Sequence, residues 1–109
     1  NCSLCIDSAL MTRAIENLLS NSIRHNAAPV HVTVQTQRFH GVLQIILTDT
    51  GTGYPPAVLH ALVHGEGENT PHILGLHIVE QIMEAHGGEV RFTQNVPNGA
   101  KTILTLPLA

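Results

Sequence analysis

Apolar positions recur along this chain with two different periods, and the switches between them mark its elements. Met11, Ile15, Leu18, Leu19, Ser22 and Ile23 fall on one side of a helix stepped at 100° per residue, which predicts an amphipathic helix over 8–25. Val30, Val32 and Val34 alternate with His31, Thr33 and Gln35, the period-two signature of a strand over 30–37 covered on one face. An apolar run (Val42, Leu43, Ile45, Ile46, Leu47) predicts a second strand over 42–49 that stops at Asp49. Helical spacing returns at Leu74, Ile78, Val79, Ile82, Met83 and His86, giving a helix over 73–86 ended by Gly87-Gly88. A shorter helix over 56–63 and strands over 3–6, 89–94 and 101–107 complete the reading. Helices on one face of such a sheet make a two-layer α/β sandwich, with a mixed five-stranded sheet and about three helices.

The polar side of the first helix is unusual. Asn17, Asn21, Arg24 and His25 lie within roughly 100° of one another, opposite the apolar stripe. Asparagine is a weak helix former because its amide competes for backbone hydrogen bonds. Two of them at i, i+4 carry a propensity cost that a use of the amides would explain. A solvated face with incidental amides accounts for the helix equally well if it is taken alone. The turn Asp49-Thr-Gly-Thr-Gly53 shifts the balance. Gly51 and Gly53 permit positive φ and close approach of a ligand to the backbone. A carboxylate at the end of a buried strand is costly unless something donates to it, and an exocyclic amine would. The turn alone is equally a strand end with an Asx cap.

Composition changes little. The chain has 109 residues, 43 % hydrophobic, with 3 % aromatic and no Trp, so the core is expected to be Leu, Ile and Val. A net charge of −3 gives no electrostatic case for nucleic acid or an anionic membrane. Nothing reads as a signal peptide or a run long enough to cross a bilayer, which leads to an expected cytoplasmic location with no direct membrane contact by this domain. Cys2 and Cys5 form a Cys-x-x-Cys without a second pair, and two small hydrophobes on a strand are the simpler account. Eight histidines include His60 and His64 at i, i+4, and His72 near His77 or His86, but no carboxylate or Cys completes a metal set. The histidines also titrate between pH 5 and 8, which leaves a pH-sensing role open.

Asn17-Leu-Leu-x-Asn-Ser-x-Arg-His25, Asp49-x-Gly-x-Gly53, Leu74-Gly-Leu-His-Ile-Val79 and the closing Gly99 to Leu106-Pro107 resemble, in order and spacing, the N, G1 and G2 boxes and C-terminal strand of the histidine kinase ATP-binding domain. That domain belongs to the gyrase, Hsp90, histidine kinase and MutL superfamily with its Bergerat-type fold. The resemblance runs from about Asp7 to Pro107. It implies that Asn21 coordinates Mg2+ on the ATP phosphates, that Arg24 and His25 lie near phosphates or ribose, and that Asp49 takes the adenine amino group. It further implies that Gly51 and Gly53 shape the adenine pocket, and that Leu74, Gly75 and Leu76 lie where a nucleotide-covering loop turns into a helix. ATP and Mg2+ are the cofactors so implied, and the site would lie between the first and third helices and the sheet edge. Hydrolysing members of the superfamily have a glutamate where this chain has Asn17, so the resemblance favours phosphoryl transfer to a protein over hydrolysis. Glu16, about 100° away around the helix, is not placed to substitute.

Two departures bear on the lid. Pro71, His72 and Ile73 stand where the family usually has further glycines, and the aromatic motif common in family lids is missing between Tyr54 and Thr70. Thr70-Pro71 reads as an N-cap followed by a proline at the first helical position, so the third helix is expected to start early and the lid to be short and stiff, with Gly65 to Asn69 its mobile piece.

The favoured reading is a single domain over 1–109, excised from a longer sensor histidine kinase of two-component signalling. It would present the γ-phosphate to a histidine on a separate dimerisation domain, and the full-length kinase would serve a response regulator. No histidine here lies in a phosphoacceptor pattern. The parent protein is free to be membrane-anchored. The alternatives are a scaffold of the same fold that has lost nucleotide affinity, and an anti-sigma-type serine kinase.

Overall fold

The computed structural model describes residues 6–24, 29–67 and 69–108. The elements follow one another as α1 (Ser8–Arg24), β1 (Val32–Phe39), β2 (Val42–Asp49), α2 (Pro56–His64), α3 (Pro71–Ala85), β3 (Glu89–Gln94) and β4 (Ala100–Pro107). The strands form one sheet in the order β1-β2-β4-β3, and every pair is antiparallel. The expected strand over 3–6 lies outside the described residues, as do Cys2 and Cys5. The sheet of the described residues therefore has four strands rather than five, and no parallel pair gives it the mixed character expected.

Local chemistry explains most boundaries. His40 (φ 50°) and Gly41 (φ 78°) take the two left-handed positions of a two-residue hairpin turn, which closes β1 on β2 with Phe39 opposite Val42. Pro56 opens α2 and Pro71 opens α3, each at a first-turn position where a missing N–H costs nothing. Thr70 is the α3 N-cap as expected, with an extended backbone, although its side chain makes no capping bond. At the far end of α3, Gly88 N donates to Met83 O at 2.9 Å and ends the helix.

Alternate residues of β4 set the core. Ala100, Thr102, Leu104 and Leu106 are buried, and the pairing register sets Leu47 and Phe92 opposite Thr102, and Ile45 and Val90 opposite Leu104. Met11, Ala14 and Leu18 of α1 and Leu76, Val79 and Met83 of α3 pack with this face as the helical layer. Deep burial of Leu76, Val79, Met83, Leu104 and Leu106 confirms a core of aliphatic side chains. Four details differ from the periodic reading. Ile23, expected on the apolar stripe, is 68 % exposed, and Leu74 is also exposed. Val34 is exposed too, so the expected cover on one face of β1 reaches only as far as half-buried Val32. His86 ties the end of α3 to the residue before α1 instead of filling the core, its Nε2 accepting from Asp7 N (2.9 Å) and its Nδ1 meeting Ile82 O (2.7 Å).

Candidate functional site

Asp49 ends β2 with only 4 % of its surface exposed, and its carboxylate is held from three directions. Oδ1 accepts from Gly51 N and from Ala100 N, each at 3.0 Å. Oδ2 accepts from the Ser22 hydroxyl on α1 at 2.8 Å. Bonds from donors to an ionised acceptor are the strong class, and three of them offset the burial of the charge.

The turn is shaped so that these donors can reach. A Cβ on Gly99 (φ 104°) would stand 1.8 Å from the Asp49 carbonyl oxygen, so only glycine lets the start of β4 come close enough for Ala100 N to bond Oδ1. Gly53 takes φ 85°, and a Cβ there would meet Gln94 Oε1 at 2.3 Å. Gln94 in turn bonds the Tyr54 backbone at both ends, accepting from its N–H at 3.0 Å and donating to its carbonyl at 2.5 Å. Asn98 Nδ2 donates to the carbonyls of Thr50 (2.8 Å) and Gly51 (3.2 Å). Gly53 thus serves the packing of this turn, and Gly51 contributes its N–H to the carboxylate.

Beneath Asp49 lies a buried hydroxyl pair, Tyr54 Oη and Thr102 Oγ1, 2.5 Å apart. The Tyr54 ring meets Phe92 edge-on at a centroid distance of 5.7 Å. Burial pushes the Tyr54 phenol up to about 12, opposed by the Thr102 hydrogen bond and reinforced by the nearby Asp49 charge.

On α1, Asn21 immediately precedes Ser22, so the amide expected at the metal sits one residue from a contact with Asp49. Its Oδ1 is the buried side-chain oxygen without a hydrogen-bond partner among the described residues. An orphaned amide oxygen costs about 1–3 kcal/mol and is a hard ligand suited to Mg2+. Asn17, one turn earlier, donates from Nδ2 to the Gly75 carbonyl at 3.2 Å and ties α1 to α3. The backbone of Arg24 closes α1, while His25 lies outside the described residues. No group of three or more His, Cys, Asp or Glu is arranged for a metal among the described residues. His60 and His64 stack at 4.2 Å, and His60 Nδ1 lies 3.6 Å from Glu66 Oε1.

Gly75 corrects an expectation. It lies inside α3, not where a loop becomes a helix, because the Thr70-Pro71 start signal places it on the second turn. Leu76 is fully buried in the core and exposed Leu74 is the outer neighbour of Gly75. Pro71 has no N–H and Leu74 N already donates to Thr70 O at 2.9 Å, which leaves the amides of His72 and Ile73 at the helix start. The preceding loop is pinned: Glu66 N donates to Ala61 O (2.8 Å), Thr70 N to Gly67 O (3.0 Å), and His77 Nε2 lies 2.7 Å from Glu66 O. An open groove of about 410 Å³ bounded by Leu59, Leu62, Val90 and Phe92 contains none of these residues.

Ser22, Thr102, Gln94 and Gly99 were not among the expected site residues. A lone hydroxyl at Thr102, in phase with Ala100, Leu104 and Leu106, is a signal the sequence does carry.

Residues 6–109 match the histidine kinase-, DNA gyrase B- and HSP90-like ATPase family. Among curated relatives, the sensor histidine kinase CusS of Escherichia coli K12 is 30 % identical over 97 % of this chain, which spans 24 % of CusS. The chain thus spans about a quarter of that relative's length. Among solved structures, the mycobacterial sensor histidine kinase MprB superposes with a TM-score of 0.74 at 27 % identity, covering 96 % of this chain and 76 % of that one. The ATP-binding domain of PrrB from Mycobacterium tuberculosis has the same fold, with a TM-score of 0.78 at 24 % identity over 97 % of this chain and 72 % of that one. By its fold, its residue pattern and these likenesses, the chain belongs to the histidine kinase-, DNA gyrase B- and HSP90-like ATPase family.

Proposed function

We propose that this domain binds ATP with Mg2+ as the catalytic domain of a sensor histidine kinase and delivers the γ-phosphate to a histidine on a separate dimerisation domain. The observation that carries the reading is the adjacency of Asn21 and Ser22: one has a buried unpaired amide oxygen, and the other bonds the Asp49 carboxylate. A group that would meet metal and phosphates and a group that holds the carboxylate for a purine amine thus stand on consecutive residues of one helix. Mg2+, where bound, would neutralise phosphate charge and orient the transferred group. Asn21 would hold it, with phosphates and water filling the remaining positions. Asp49 orients the base, and the amides of His72 and Ile73 with the α3 dipole favour the phosphates.

Asn17 supports transfer over hydrolysis. An amide cannot take a proton from water at neutral pH, and this one is already engaged with Gly75 O. Whether transfer to water is slow in this chain is therefore a matter of a missing base. The acceptor histidine and the response regulator it feeds belong to other domains or proteins, and CusS and MprB, named as sensor histidine kinases, support that assignment.

Thermal melting with Mg2+ and a non-hydrolysable ATP analogue tests the reading. At 100 times its dissociation constant the ligand adds about 2.7 kcal/mol, a shift of many degrees in a domain of this size. Asp49→Asn abolishes the shift, and Asn21→Ala removes its dependence on Mg2+. An unchanged melting curve at millimolar analogue would assign the chain to scaffolding instead.

A further inference from the structure

The carboxylate of Asp49 has four acceptor directions, and the described residues take three of them. Gly51 N and Ala100 N share Oδ1, and the Ser22 hydroxyl takes one side of Oδ2. Both backbone donors act on Oδ1, so they oppose a turn of the carboxylate about Cβ–Cγ at that oxygen alone. Ser22 pins the other oxygen. We propose that Ser22 is a positioning residue for nucleobase selection: by holding Oδ2, it aims the remaining lone pair of Asp49 at the exocyclic amine of a 6-aminopurine.

Three features support the assignment. Ser22 lies on α1 while both backbone donors come from the sheet side, so its bond reaches the carboxylate from the opposite layer. Serine forms helix less well than alanine, and at this half-buried position on the inner side of the helix its hydroxyl is spent on a charged acceptor rather than on solvent. The neighbouring polar groups cannot replace it, because Tyr54 Oη and Thr102 Oγ1 are bonded to each other. The carboxylate accepts only, so the Ser22 proton points at Asp49, and a ligand must bring a donor to the one direction left. A 6-amino group does so. A 6-oxo group brings an acceptor and is repelled.

The inference rests on the nucleotide-binding reading and deepens it. Affinities of the wild-type, Ser22→Ala and Ser22→Thr chains for three Mg2+-bound probes, measured by calorimetry, separate the two. The probes are a non-hydrolysable ATP analogue, its inosine counterpart, and inorganic tripolyphosphate, which has no base. Ser22→Ala is expected to weaken the ATP analogue about tenfold, the equivalent of one hydrogen bond to a charged group. The inosine analogue and tripolyphosphate should bind as they do to wild type, so the 6-amino preference shrinks by the same factor. Ser22→Thr retains the hydroxyl and restores both affinity and preference. Equal ATP-analogue affinity in wild type and Ser22→Ala overturns the role of Ser22 alone. So does an equal loss for all three probes together with a lower melting temperature, which marks a purely structural bond. No binding of any probe by the folded wild-type chain overturns the nucleotide reading and this inference with it.

Discussion

The Asn17 side chain donates to the Gly75 carbonyl across 3.2 Å and joins the two helices that flank the candidate site. The amide is a tie between α1 and α3. Its partner carbonyl belongs to the second turn of α3, close enough to the helix start that the tie also fixes where the free amides of that helix stand.

Loss of this tie is measurable. Asn17→Ala should destabilise the domain by about 1 kcal/mol, the net value of a partly buried hydrogen bond. Urea unfolding checks it: the midpoint falls and the slope stays the same, because the surface exposed on unfolding hardly changes.

Gly75→Ala has the opposite sign. A Cβ at this helical position would lie 3.9 Å from Asn17 Nδ2, an ordinary contact. Alanine in a helix interior is worth about 0.5–1 kcal/mol over glycine. A melting temperature raised by a few degrees is expected, and a lowered one would show that Gly75 is held in a conformation alanine resists.

Gly99→Ala is the severe case. Its Cβ would collide with the Asp49 backbone, and the φ of 104° is strained for any side chain. The expected cost is about 3 kcal/mol or more, read as a large drop in the urea midpoint. Gly41, a left-handed glycine with nothing within 4 Å of an added Cβ, is the control for backbone strain alone. Gly41→Ala should cost less.

Tyr54 makes stability fall in alkali. Its folded pKa, pushed up to about 12, stands above the ordinary phenol value of 10.0, so the unfolded chain ionises first. The contribution is whole below pH 10 and is lost as pH rises toward 12, amounting to roughly 2–3 kcal/mol. Tyr54 is the single tyrosine and there is no tryptophan, so tyrosinate absorbance during titration reports this residue alone. Titration near 10 in the folded protein would contradict the buried phenol.

The elements were legible wherever periodicity ran for several turns or a breaker stood at the end. β2 stops at Asp49 as read, β3 covers 89–94 as read, and α1 and α2 end within a residue of expectation. The Thr70-Pro71 pair announced the early start of α3 more accurately than the apolar spacing, because an N-cap and a first-turn proline are local chemistry. The same pair explains why Gly75 sits within the helix. Ser22 was placed with the apolar stripe, which its helical angle dictates, yet the same angle turns it toward Asp49, 27 positions away. The Tyr54–Thr102 pair spans 48 positions and the Gln94 clamp on Tyr54 spans 40. Such contacts depend on how sheet and helices meet, which no local pattern encodes. The exposure of Val34 has a similar origin, since alternation tells which residues share a face but not how far the helices extend over it.

Consecutive residues of a rigid rod cannot be tuned separately. On the proposed reading Asn21 at the phosphate end and Ser22 beside the purine-binding Asp49 share one α-helical turn, so a small roll of α1 that improves the fit at one end is felt at once by the other. Variants that alter which base is accepted by re-aiming α1 will therefore change the demand for Mg2+ as well, whereas changes made on the sheet side, at Thr102 or Gln94, escape that linkage.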